Sequence, residues 1–215
     1  MAPESRLSND RARHWDTTYE SRGESGVSWF QTVPTVSIDL IDLLGVSTTA
    51  AVLDIGGGAS SLVDHLVERG FTDLTVLDIA QKALATARNR LGADAPVSWL
   101  HEDLIQWTPE RQFDLWHDRA VFHFLVDDHQ RQLYLEKLKG ALKPGGSVVI
   151  ATFAEDGPEF CSGLPVCRYS ADELSSLLGD RFKVIATRRE EHRTPTLAMQ
   201  SFTWVAATLP AVSKT

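Results

Sequence analysis

Cysteine is scarce in this chain, and the two it has, Cys161 and Cys167, build no scaffold. Two thiols cannot staple a chain of this length, and they form no Cys-x-x-Cys pair for structural zinc. That excludes a disulfide framework and points to a reducing compartment. Positive charge is also short: 21 Lys and Arg stand against 29 Asp and Glu, a formal charge of -8. A nucleic-acid ligand asks for a basic face, so none is expected as partner. The one basic cluster, Arg188, Arg189 and Arg193, is broken by Glu190 and Glu191 and reads as a solvated strand end. No apolar run approaches the roughly 20 residues that span a bilayer. The opening MAPESRLSNDRARHW lacks the apolar stretch of a secretory leader. The expectation is a cytoplasmic protein without membrane partner or metal site. Repeats, low-complexity tracts and linkers are missing as well, and nothing in the sequence fixes an oligomeric state.

What is present suits one hydrophobic core: 215 residues, 43% hydrophobic. After about eight polar residues expected to fray, a helix should start near Ser8 and end at Gly23, followed by the loop GESGVSWFQTVP. Residues 35–44 read as a helix with Val36, Leu40, Leu43 and Leu44 inward and Gly45 as its stop. Strands and helices then alternate. AVLDI (51–55) and LTVLD (74–78) are nearly all apolar, as strands buried on both faces are. Further strands are read at 97–103, 113–118 and 147–152, with helices SLVDHLVER, IAQKALATARNRL and 128–142 between them. LKPGG reads as a sharp stop, and Ser170-x-x-Glu173 is a capping box. FKVIATRRE (182–190) and QSFTWVAAT (200–208) are too close in sequence for a crossover helix, so they pair antiparallel. The fold class is α/β: a doubly wound, mostly parallel seven-stranded sheet with an antiparallel last strand and helices on both faces.

In such sheets ligands bind beyond the C-terminal strand ends, at the switch in strand order. There the first strand runs into Asp54-Ile-Gly56-Gly57-Gly58-Ala-Ser60. Glycines allow a tight turn and close approach of backbone to ligand. Asp78 ends the second strand, 20 residues after Gly58, where a carboxylate can accept from both hydroxyls of a ribose. A dinucleotide site shares this logic, and a glycine loop alone is a weak signal. Three details favour S-adenosyl-L-methionine over NAD. Serine stands where the third dinucleotide glycine belongs. Asp54 would repel a pyrophosphate and attract a cation. Asp103, ending the third strand, can accept from an adenine amino group.

With these residues on the page, the chain resembles the class I, seven-strand, Rossmann-like S-adenosylmethionine-dependent methyltransferases. VLDIGGGAS, the acid in VLDIA, the acid in HEDL, and LKPGG occur in order across roughly residues 50–155. The resemblance implies that Gly56 and Gly58 approach the methionine part of the cofactor, with Gly57, Ser60 and Ile79 as further cofactor-binding candidates. It puts Asp78 at the ribose and Asp103 with Leu104 at the adenine. HWDTTYES with VSWFQ, and HDRAVFHFL, look like a bacterial subfamily of unsettled substrate. They are also similar to the branch of elongation-factor and citrate-synthase lysine methyltransferases. That branch has Asp-Lys-Gly where this chain has Asp118-Arg119-Ala120, a departure that weakens a carry-over of protein substrate. Within one domain, 1–215, residues 1–45 are expected to form N-terminal helices and a lid. Residues 50–155 are the cofactor core, and 156–208 a substrate-side loop and terminal hairpin.

On the acceptor side, methyl transfer from a sulfonium needs alignment above all, and a base only where the acceptor arrives protonated. His117 and His123 are the candidate bases, and His117 alternatively lines the cofactor. Asp118 is read as an ion pair with Arg119 that shapes the loop, ahead of a direct catalytic role. Trp15 and Tyr19 are candidate cofactor contacts, and Trp29, Phe30 and Gln31 candidate acceptor contacts, together a lid that can enclose a sulfonium by cation–π attraction. The alternative is that they are core residues of a packed N-terminal segment. Arg119, His123 and Cys161 complete the acceptor set, although the plainer reading of Cys161 and Cys167 is two buried structural thiols. Three functions follow. The preferred one is methyl transfer to a small-molecule nucleophile, a thiol or other soft atom. The second is protein lysine methylation, and the third a nucleotide- or NAD-binding protein that shares only the fold.

Overall fold

A computed structural model describes residues 3–211. In chain order it contains α1 (Pro3–Arg22), α2 (Thr35–Leu43), β1 (Ala51–Ile55), α3 (Leu62–Glu68), β2 (Asp73–Asp78), α4 (Gln81–Leu91) and β3 (Val97–His101). Then come β4 (Phe113–Arg119), a single 3-10 turn (Phe122–Phe124), α5 (Asp128–Ala141), β5 (Leu142–Phe153), β6 (Phe160–Cys161) and β7 (Leu164–Pro165). The chain closes with α6 (Ala171–Leu178), β8 (Lys183–Arg193) and β9 (Met199–Thr208).

Seven strands make one sheet in the order β3-β2-β1-β4-β5-β9-β8. The pairs among β1 to β5 are parallel, and β9 runs antiparallel to both β5 and β8. This is the doubly wound sheet with a reversed strand that the alternation predicts. The two-residue strands β6 and β7 form a separate small hairpin that the sequence did not announce.

All five residues of β1 are buried, because helices cover both faces. Alternate side chains feed two cores. Leu53, Trp116, Val148 and Val205 pack toward α5 and α6. Val52, Leu115, Val149 and Trp204 pack toward α2 and α3. Strand β8 is the exposed edge, and its run of Arg188, Arg189, Glu190 and Glu191 guards that edge against pairing with another chain.

Three local expectations need correction. Helix α1 begins at Pro3 rather than near Ser8, as a proline in the first turn permits; Met1 and Ala2 lie outside the described residues. LKPGG does end the preceding helix, at Ala141, but it is itself the start of β5 rather than a stretch before it: Gly145 sits at φ 85, and the register against β4 shifts between Phe113 and Leu115. The buried face of α2 is Ser37, Leu40 and Ile41, not Leu43, which is 50% exposed.

The order of strands reverses between β1 and β4. Chain from β1 winds outward through β2 and β3, and then β4 pairs on β1's other side. Loops leaving the two strand ends diverge there and open a crevice.

Candidate active site

The first loop is built for close approach. Gly56 and Gly58 have φ of 64 and 41, backbone that favours glycine. A Cβ at Gly57 would overlap Asp54 Oδ2, and one at Gly58 would stand 2.6 Å from Asp78 Oδ2. Gly56 N–H donates to Leu77 O at 2.6 Å, which ties the loop across to β2.

Two cavities meet at this loop. The larger encloses, with its open mouth, about 900 Å³; Asp78, Ile79, Asp103 and Leu104 form one wall, Val121 and Phe124 another. The smaller is lined by Asp54, Gly57, Ser60, Ser37 and His117, with Phe30 and Gln31. Tyr19, Trp29, Gly56 and Arg119 border both.

The carboxylates at successive strand ends have distinct partners. Asp78 Oδ1 accepts from Ala80 N–H at 2.7 Å. Burial, with Asp54 and Asp16 nearby as further negative charges, pushes its carboxyl up to about 7. Asp54 Oδ1 lies 2.7 Å from His117 Nδ1, and His117 Nε2 lies 3.0 Å from Ser37 Oγ. In the neutral ring, an Nδ1 proton directed at the carboxylate leaves Nε2 to accept from the serine hydroxyl. Asp54 Oδ2 is buried and has no hydrogen-bond partner among the described residues. Asp103 Oδ1 accepts from Ile105 N–H at 3.0 Å, and Oδ2 from Arg11 Nη2 at 2.7 Å. Asp103, expected to accept from an adenine amino group, is therefore already bonded to a guanidinium from α1.

Helix α1 roofs the crevice. Arg11, Trp15 and Tyr19 recur every four residues, so they share one face, and all three line the larger cavity. Trp15 meets Trp29 and Phe124 edge-on at 5.7 and 5.0 Å. Lys82 pairs with Glu20, and Lys82 N–H donates to Asp16 Oδ1 at 3.0 Å, which pins the roof to α4. Of the expected lid residues, Trp15, Tyr19 and Trp29 come together over the crevice. Phe30 and Gln31 border only the smaller cavity, where Gln31 Nε2 donates to Glu190 at 2.6 Å.

The two candidate bases are placed elsewhere than expected. His117 lies on the smaller cavity, with both ring nitrogens taken. His123 lines neither cavity and is fully buried. Its Nδ1 accepts from Phe153 N–H at 3.3 Å, and burial beside the Arg119 charge drives its pKa down to about 3. Neither imidazole is free to take a proton from an acceptor in the larger cavity.

The expected Asp118–Arg119 ion pair is not formed. Asp118 accepts from Tyr134 O–H at 2.7 Å and from Val121 and Phe122 N–H, and burial raises its carboxyl to about 6. Arg119 turns the other way. Nη1 donates to Trp29 O at 3.0 Å, and the guanidinium lies 4.6 Å over the Phe202 ring. Arg119 is followed by Ala120 at φ 71, left-handed backbone at a non-glycine residue.

Cys161 borders the larger cavity. Burial pushes its thiol up to about 11, so it stands as a neutral thiol at neutral pH. Cys167 is half-buried, and neither cysteine is in a disulfide. No group of three His, Cys, Asp or Glu among the described residues is arranged to hold a metal ion. No helix among them is long and apolar enough to cross a membrane.

The fold is that of the Rossmann-like methyltransferases, whose cofactor is S-adenosyl-L-methionine. Residues 53–148 match the family model described as a methyltransferase domain. A malonyl-[acyl-carrier protein] O-methyltransferase of Ilyobacter polytropus is 24% identical over 150 residues, 65% of this chain and 57% of that enzyme. The chain thus spans little more than half the length of that relative. An EEF1A lysine methyltransferase 2 of Danio rerio is 27% identical over 178 residues, 78% of this chain and 70% of its own. Among solved structures, a Burkholderia thailandensis 1,6-didemethyltoxoflavin-N1-methyltransferase, with its acceptor and S-adenosylhomocysteine bound, superposes with a TM-score of 0.68. It is 21% identical and covers 98% of this chain and 91% of its own.

The residues fit that cofactor. A glycine cradle keeps side chains out of the loop, and Asp54, which lines the smaller cavity, has in Oδ2 a buried oxygen without a hydrogen-bond partner among the described residues.

Proposed function

We propose that this protein transfers the methyl group of S-adenosyl-L-methionine to a small-molecule nucleophile, a thiol or another soft atom. One observation carries the donor half. The glycine cradle and the carboxylates Asp54 and Asp78 converge on adjoining cavities at the β1/β4 switch point. In this reading Asp78 accepts from the ribose hydroxyls. Gly56, Gly57, Gly58 and Ser60 admit the methionine part, and Asp54 Oδ2 takes its ammonium. Ile79 and Leu104 flank the adenine, beside the shared Asp103. His117 acts as a positioning residue: held by Ser37, it fixes the Asp54 carboxylate.

The bound cofactor supplies an electrophilic methyl on a good leaving group. This chain's residues align, exclude water and hold charge. Trp15, Tyr19 and Trp29 close the roof, which keeps water from the reacting centre. Alignment of this kind is worth up to roughly 7–11 kcal/mol of barrier. With neither histidine free, the acceptor must arrive able to attack.

A second reading, protein lysine methylation, is favoured by one finding, the similarity to the zebrafish lysine methyltransferase over most of both chains. Against it stands Arg119: a lysine ammonium would enter beside a buried guanidinium. The test is methyl transfer from radiolabelled cofactor into an extract of the source cells, with macromolecules precipitated. Label in the soluble or volatile fraction supports the small-molecule reading; label in one protein band overturns it. S-adenosylhomocysteine binding, with none for NAD, removes the third possibility, a nucleotide module.

A further inference from the structure

Arg119 is a cation with unused donors. Its Nε and Nη2 are closed to solvent and have no hydrogen-bond partner among the described residues. Only Nη1 is engaged, by the Trp29 carbonyl. Glu190, the acid whose charge acts on Arg119, is committed elsewhere: Oε1 accepts from Gln31 Nε2 at 2.6 Å and Oε2 from Trp204 Nε1 at 2.9 Å. Burial lowers the Arg119 pKa despite that charge. Leaving such donors unpaired is costly, and a guanidinium offers adjacent N–H groups in a fixed fork that matches a carboxylate.

Its position decides what that fork meets. Arg119 ends β4 on the border of both cavities. On the side of the larger cavity its neighbours are Trp29 and Cys161, from chain segments outside the glycine loop. The donor-side carboxylates, Asp54 and Asp78, sit on β1 and β2. The cation thus stands where the two cavities meet, on a different strand from the ribose and adenine carboxylates Asp78 and Asp103, within reach of a ligand in either cavity.

We infer that the methyl acceptor carries a carboxylate, and that Arg119 holds it. The inference rests on the methyl-transfer reading above and narrows its substrate class to small carboxylic acids bearing the nucleophile. Such an acceptor brings a planar pair of oxygens to guanidinium donors that no described residue pairs. The same donors exclude amines and neutral analogues, which leave the guanidinium unpaired.

The test uses the full chain saturated with S-adenosylhomocysteine, with benzoate, benzamide and phenethylamine as probes read by tryptophan fluorescence. Benzoate should bind at least tenfold tighter than benzamide, and phenethylamine should not bind. R119Q should erase the benzoate preference while S-adenosylhomocysteine affinity stays within threefold of the parent. R119K should retain part of it, and thermal melting of both variants shows whether they fold. Equal binding of benzoate and benzamide, or an unchanged preference in folded R119Q and R119K, overturns the inference. So does a tenfold loss of S-adenosylhomocysteine affinity in both, which would assign the guanidinium to the donor. If the parent protein does not bind S-adenosylhomocysteine at all, the methyl-transfer reading fails instead, and the two failures are distinct.

Discussion

Asp78 allows a prediction that turns on proton count. Burial holds its carboxyl at about 7 in the ligand-free protein, against about 3.9 in an unfolded chain. The raised value means that the ligand-free fold prefers the protonated acid, so this group destabilises the fold as pH rises from about 4 to about 7. Cofactor binding has the opposite preference, because ribose hydroxyls donate to the ionised form. At about pH 6 roughly a tenth of the molecules carry the carboxylate, and at about pH 8 roughly nine tenths. Affinity for S-adenosylhomocysteine should therefore rise about tenfold, or about 1.4 kcal/mol, between those two values. Binding near pH 6 should release a proton. Isothermal titration in two buffers of different ionisation enthalpy reads both effects directly. Asp78→Asn should bind more weakly at about pH 8 and lose the pH dependence, since an amide does not titrate. A flat affinity in the parent protein, or a slope that survives in Asp78→Asn, would refute the assignment of Asp78 to the ribose.

Other residues make equally direct claims. His117→Ala should weaken S-adenosylhomocysteine binding about tenfold, and Ser37→Ala by less, through loss of the bonds that fix Asp54. A base at His117 would instead spare affinity and lower turnover, and titration calorimetry beside steady-state rates separates the two. Gly57→Ala forces a Cβ onto Asp54 Oδ2 and to within 2.8 Å of Val76 Cγ1, so denaturant unfolding should show a loss of about 1–3 kcal/mol. Ala120→Gly relieves the left-handed strain at φ 71 and should be neutral or stabilising by up to about 1 kcal/mol in the same measurement. A loss beyond that would mean the Ala120 methyl packs more than it strains.

What the sequence made legible follows from how local each signal is. A buried parallel strand is an apolar run of five or six residues, and a glycine cluster at its end admits few alternatives. Hence β1, β2 and the loop after Asp54 could be read directly. The capping box at Ser170 is local too, and both of its bonds are formed. Periodicity located α2 but misread its buried face for a physical reason: that face includes a serine. Ser37 is inside because His117, 80 residues away, has an Nε2 to satisfy, and no window along the chain contains that partner. The same blindness produced the Asp118–Arg119 pair. Adjacent residues on a strand point to opposite faces, so an acid and a base side by side in sequence are poor candidates to meet. Asp118 goes to Tyr134 on α5, and Arg119 to Trp29 and Phe202.

That alternation bears on the acceptor. Asp118 on one face has three donors and no spare need, since the Tyr134 hydroxyl and the Val121 and Phe122 amides consume its oxygens. Arg119 on the other has two idle donor nitrogens at the border of the cavities. The departure from Asp-Lys-Gly at these positions thus replaces an ammonium on a flexible stem by a planar fork stacked on an aromatic ring, and the two are not interchangeable in recognising a planar anion. Ala120 bears left-handed strain at the position where that pattern has glycine. A chain that needed only the backbone turn would be better served by glycine there. With methyl-transfer chemistry asking chiefly for alignment, the residues that differ here bear on which molecule is aligned.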